Sequence, residues 1–140
     1  MADSLWMRLR NENWNQLECA SGSASSIPKF LQNLASRKAA RAMKASHDLW
    51  SALGVNHDSL CSANEVTFPY LLEILYISEV EIQCEILDLI IPICKHADSA
   101  SWKTPASKEL SNHHPLIKKL SFSKDEMLAE KSQQAFELID

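Results

Sequence analysis

Residues 27–54 read IPKFLQNLASRKAARAMKASHDLWSALG, and 41 residues further on the chain repeats the design in FPYLLEILYISEVEIQCEILDLIIPIC, residues 68–94. That offset sets Pro28 on Pro69, Phe30 on Leu71, Leu31 on Leu72 and Leu34 on Leu75. In each copy apolar residues recur at three- and four-residue intervals, the spacing of one face of an α-helix. Ser26 is placed to cap the first helix, with Pro28 in the first turn, where its missing N–H has no helical partner to lose. A second helix is expected from Arg37 to Leu53, turning Ala39, Ala42, Met43, Leu49, Trp50 and Leu53 inward and stopping at Gly54. Two helices per unit of about 40 residues is a solenoid period, in which no unit buries its apolar face alone and stacking supplies the core.

Composition points the same way. The chain has 140 residues, 46% of them apolar, which suits one domain spanning 1–140 with no disulfide staple. Its 2 glycines are too few for the tight turns of a many-stranded sheet, so the fold class expected is all-α. Neither Gly22 nor Gly54 stands in a glycine-rich phosphate loop, which excludes nucleotide binding of that kind.

Outward from the repeats, Trp6, Leu9, Trp14 and Leu17 predict a helix over Leu5 to Glu18, with Asp3 or Ser4 to cap it, and ASGSASS at 20–26 reads as a linker. Residues 1–26 are thus an N-terminal helix and serine-rich linker, and 27–95 hold two helix pairs. Residues 96–122, with two prolines and no clear period, are expected to be irregular. Ser123 and Glu126 form an S-x-x-E capping box for a closing helix within 123–140. The longest apolar run, Ile86 to Cys94, is interrupted by Asp88 and Pro92, so no membrane span or membrane partner is expected. A cytoplasmic location follows, with Cys19, Cys61, Cys84 and Cys94 as reduced thiols.

The strings IPKFLQNLA, HDLWSALG and EVTFPYLLEILYISEVEIQCEILDLI resemble the short HEAT-repeat proteins of bacteria, in which a proline opens each first helix and an LW pair stands near the end of the second. The resemblance covers Ile27 to Cys94 and implies a short HEAT-like stack of antiparallel helix pairs. One departure stands out. The Asp-then-Arg pair common in the turn and second helix of such repeats is incomplete, since Arg37 and Arg41 of the first unit are matched by Ser78 and Ile82 in the second.

Net charge is −4, and it is unevenly spread. Residues 1–44 carry seven basic and three acidic side chains, residues 95–140 seven of each, and residues 45–94 eight acids with no Lys or Arg. Glu81, Glu85 and Asp88 fall at i, i+4 and i+7, one narrow stripe of a helix whose other sides are apolar. A merely solvated helix usually mixes signs to gain i,i+4 pairs, so uncompensated acids suggest a basic partner. The partner-binding residues expected on this ground are Glu73, Glu79, Glu81, Glu85 and Asp88. Trp102, a tryptophan outside any periodic stripe, is added as an anchor. Such a surface repels phosphates, so nucleic acid is not an expected ligand.

Constellations for chemistry are sparse. His47-Asp48 and His57-Asp58 suggest a metal-dependent HD-type phosphohydrolase, but no histidine precedes His47 and the ten-residue interval is short for that family. His47 is expected beside Trp50 instead. Cys94-x-His96 offers two ligands where zinc takes four, and Cys84 and Cys94 stand about 15 Å apart along a helix. His113-His114 is read as a loop pair. No catalytic residue, metal or cofactor is expected, and the chain reads as a non-catalytic protein-binding module. Small acidic helical proteins of this kind are similar in type to immunity proteins, which occlude the basic active site of a nuclease-type bacterial toxin. A HEAT-like scaffold or adaptor is the alternative, and the HD-type enzyme a remote one.

Overall fold

A computed structural model of the chain describes residues 2–19, 22–54, 62–96 and 106–139. Eight α-helices are found among them: α1 (Ala2–Asn11), α2 (Ile27–Leu34), α3 (Ala39–Ala52), α4 (Ser62–Ile77), α5 (Val80–His96), α6 (Ala106–Ser111), α7 (His114–Leu120) and α8 (Glu126–Glu137). The fold is all-α. The one departure from helix and turn is a two-residue antiparallel pair, β1 (Glu18–Cys19) with β2 (Gly22–Ser23).

The helices pack in two layers. α2 packs on α3, α4 on α5 and α7 on α8, while α3, α5 and α8 lie side by side in one layer and α2, α4 and α6 follow one another in the other. Arg37 and Ala39 at the start of α3 share a cleft with Glu79 and Ile82 at the start of α5. Trp50 and Ser51 near the end of α3 meet Glu85 and Leu89 in the middle of α5, so the two helices run in the same direction. Lys131 of α8 reaches Asp88 in the middle of α5. The turns α2–α3 and α4–α5 therefore share one edge of the molecule.

The internal repeat holds at the level of burial. Ile27, Leu31 and Leu34 of α2 and their counterparts Phe68, Leu72 and Leu75 of α4 are all buried. Phe30 is half-buried while Leu71 is fully enclosed. Two side-chain hydrogen bonds between successive helices close the helix ends. Asn64 Nδ2 donates to the Leu53 carbonyl at 3.1 Å, and Gln83 Nε2 to the Leu75 carbonyl at 3.0 Å, both buried. Gly54 follows α3 at φ 64°, the left-handed value that favours glycine after a helix.

The boundaries differ from expectation in four places. α1 starts at Ala2 and stops at Asn11 rather than running from Leu5 to Glu18, because the Trp14 indole donates to the Leu9 carbonyl at 2.7 Å and occupies the acceptor a continuing helix would use. The segment 20–26, read as a linker, includes β2 and a 3₁₀ turn, Ala24–Ser26. α4 begins at Ser62, so Pro69 lies inside the helix and not in its first turn. A proline there costs about 3 kcal/mol. Burial of Phe68, Leu71, Leu72, Ile74 and Leu75, at about 1.5–3 kcal/mol each, outweighs it.

The fourth difference is at the C-terminal end. Within 96–122, expected to be irregular, stand α6 and α7, the latter with Pro115 in its first turn. The S-x-x-E box does not cap α8: Asp125 is the N-cap, its Oδ1 accepting from the Leu128 N–H at 2.9 Å, while Ser123 Oγ accepts from the Asp125 N–H. Among the described residues no helix is long and apolar enough to cross a membrane.

Candidate acidic binding face

α5 buries Ile82, Cys84, Ile86, Leu87, Leu89, Ile90 and Ile93 against α3, α4 and α8. One strip is left facing outward, and Glu81, Glu85 and Asp88 occupy it at i, i+4 and i+7. Glu79, just ahead of the helix, and Glu81 in its first turn are exposed where the helix dipole favours acids. Glu85 and Asp88 are half-buried in the wall of a groove of about 330 Å³ between α3 and α5, whose other wall is His47 and Trp50. The groove combines an aromatic face with carboxylates, a combination that suits a cationic side chain.

The structure separates the sequence-derived residues. Glu73 is in the other layer, on α4, where both its carboxylate oxygens accept from Arg8 Nη2 at 2.8 Å. It belongs to the clasp that holds α1 down. Arg8 also lies 5.7 Å above the Tyr70 ring, and the Tyr70 hydroxyl donates to Glu12 at 3.1 Å. Burial, with the Glu12 carboxylate beside it, pushes the Tyr70 phenol up to about 12. Asp88 is paired with Lys131 of α8, a cation supplied from 43 residues away that local charge counting misses. Glu79, Glu81 and Glu85 have no ion pair among the described residues. Trp102 lies outside them.

The histidines also fall into place. His47 is exposed beside the groove it shares with Trp50, and Asp48 accepts from Lys44 one turn back at 3.1 Å. His57 and Asp58 lie outside the described residues. His113 and His114 are not a loop pair: His114 opens α7 with its ring 4.9 Å from Phe136, and His113 lies tilted against Tyr76, ring centroids 5.5 Å apart, with Nδ1 3.3 Å from the Tyr76 hydroxyl. Burial lowers the His113 imidazole pKa, opposed in part by Glu109 and Glu73. Burial raises the Cys84 thiol, with Asp125 adding to it. Among the described residues no three His, Cys, Asp or Glu side chains are grouped to hold a metal ion.

Set against protein-family models, curated proteins and solved structures, the chain matches none of them.

Proposed function

We propose that the chain is a HEAT-like stack of three antiparallel helix pairs that works as a non-catalytic protein-binding module, and that its partner is a basic protein of the nuclease-toxin kind, neutralised in the manner of an immunity protein. The observation that carries this reading is the outward strip of α5, where Glu81 and Glu85 make no ion pair among the described residues, next to a groove walled by Trp50. Free carboxylates steer a cationic partner into encounter and select against others, and in a toxin's active-site cleft they take the place of substrate phosphates. A scaffold would use the same face for many partners. An immunity protein would use it for one.

The test uses the double variant Glu81→Lys with Glu85→Lys, which leaves the Asp88–Lys131 pair intact. The product of the adjacent reading frame is expressed alone and with the chain, and growth is followed. Expected are arrest with the product alone, rescue by the wild-type chain, and association slowed about ten- to a hundredfold by the double variant at low salt. A product that binds both forms equally, with equal salt dependence, removes the acidic face from the function.

A further inference from the structure

The groove between α3 and α5 encloses about 330 Å³, at the small end for a ligand pocket. Trp50, half-buried, walls it from α3, Glu85 and Asp88 wall it from α5, and the buried Leu89 and Ser46 line it between them. Two of its polar groups are already committed. The Ser46 hydroxyl donates to the Met43 carbonyl at 2.6 Å, and Asp88 is paired with Lys131. Glu85 is half-buried like Asp88, yet it makes no ion pair among the described residues.

The repeat supplies an internal control. The counterpart of Glu85, 41 residues earlier, is Lys44, which pairs with Asp48 one turn on at 3.1 Å. Glu85 has no such option along its own helix, where the residues one turn away are Glu81 and Leu89. No Lys or Arg lines the groove. The cations beside it are both held, Lys44 by Asp48 and Lys131 by Asp88, so the Glu85 charge is left unbalanced against an aromatic wall. Removing part of the water from a carboxylate without giving it a partner is unfavourable, and a cation bound in the groove reverses that cost.

We propose that this groove is the socket for one arginine side chain of the partner protein, its guanidinium stacked on Trp50 and donating to the Glu85 carboxylate. This deepens the reading of the acidic face and rests on it, since Glu85 belongs to both. The lining selects the side chain. A lysine ammonium is compact and strongly hydrated, and here it would give up water for one carboxylate with Trp50 and Leu89 on its other sides. A guanidinium is planar and weakly hydrated, so it lies flat on the indole while its edge N–H groups still reach the carboxylate. An anion would meet Glu85.

The test titrates the full chain, labelled with nitrogen-15, with N-acetyl-arginine methylamide, with its lysine analogue and with the uncharged citrulline analogue. The indole N–H signal that Trp50→Phe removes is the reporter. Expected is a saturable shift of that signal at about millimolar arginine analogue, with about tenfold more of the lysine analogue needed and no shift with citrulline. Glu85→Gln, which keeps the shape of the wall and leaves the Asp88–Lys131 pair in place, should weaken the arginine analogue about tenfold with the rest of the spectrum unchanged. Equal response to lysine or to citrulline, no response at Trp50, or an undiminished response in Glu85→Gln overturns the socket. None of these outcomes touches the acidic face, which is measured by partner association in the Glu81→Lys, Glu85→Lys variant. If the arginine analogue binds while that variant leaves partner association unchanged, the acidic face falls, and the assignment of the arginine to that partner falls with it.

Discussion

The α2–α3 and α4–α5 turns stand 41 residues apart in the chain and side by side on one edge of the molecule, yet one is built from Ser36, Arg37 and Lys38 and the other from Ile77, Glu79, Val80 and Glu81. The helices entering these turns bury the same repeat positions: Leu31 and Leu72 are 0% exposed, as are Ile27 and Phe68. Where the repeat must pack, the two copies agree in chemistry. Where it meets water they differ in charge sign and in polarity. Packing imposes the first agreement, since a buried aliphatic contributes about 1.5–3 kcal/mol to the fold. Nothing in folding imposes the second difference, and that is why it is informative about binding.

If packing is what the two copies share, truncating equivalent core residues should produce the largest effects of all, graded by what covers each helix. Leu72→Ala in α4 and Leu31→Ala in α2 should each cost about 2–5 kcal/mol in urea unfolding, because each leaves a cavity the neighbours fill only in part. Leu72 should lie at the upper end. α4 has helices α2 and α6 beside it, whereas α2 has α4 on one side and is otherwise covered, beyond its partner α3, by α1 and the short 3₁₀ turn Ala24–Ser26, which can settle into the cavity. A Leu31→Ala cost equal to or above that of Leu72→Ala would show that the cover of α2 yields no more readily than that of α4.

A smaller effect separates α4 from α2 in another way, since α4 carries the clasp for α1. The Tyr70 phenol is raised from 10.0 to about 12 by burial and by Glu12, so the folded state favours the protonated form. The stability this contributes is complete below pH 10 and is lost as pH rises from 10 through about 12. Wild type should therefore lose thermal stability more steeply across that window than Tyr70→Phe, which has no phenol to ionise. At pH 8 the same variant should be about 1 kcal/mol less stable, having lost the hydrogen bond to Glu12. Parallel alkaline melting curves for the two proteins would detach Tyr70 from the clasp.

How much of this was legible in the sequence follows from range. The stripes of α2, α3 and α5 are local periodicities, and the 41-residue offset makes the second pair readable from the first. The same proline signature was present at Pro115, followed by Leu116, Ile117 and Leu120, but α7 has only seven residues, too few for a period to emerge. Pro69 misled in the opposite direction. The residues ahead of it, Ala63, Asn64 and Thr67, are buried by tertiary packing that no local pattern announces, so α4 starts two turns early. The acidic strip was legible as spacing, but its charge balance was not. Lys131 lies 43 residues from Asp88 and Arg8 lies 65 from Glu73, and both pairings exist only once the layers have stacked.

The smallest expected change in stability bears hardest on the comparison of the two turns. Ile77→Ser with Val80→Ala gives the α4–α5 turn the residues found at Ser36 and Ala39 of the first pair. Ile77 is 63% and Val80 41% exposed, so little packing is at stake, and alanine at the first residue of α5 is a better helix former than valine. The buried closures are untouched: Gln83 still reaches the Leu75 carbonyl, and the Ser78 hydroxyl still reaches that of Ile74 at 2.8 Å. Unfolding free energy should then move by less than about 1 kcal/mol, each surface replacement contributing within about 0.5. A loss above about 2 kcal/mol would mean that Ile77 and Val80 hold the turn together, and the contrast with Ser36 and Ala39 would become a matter of packing. If stability holds, the contrast between the two turns owes nothing to packing.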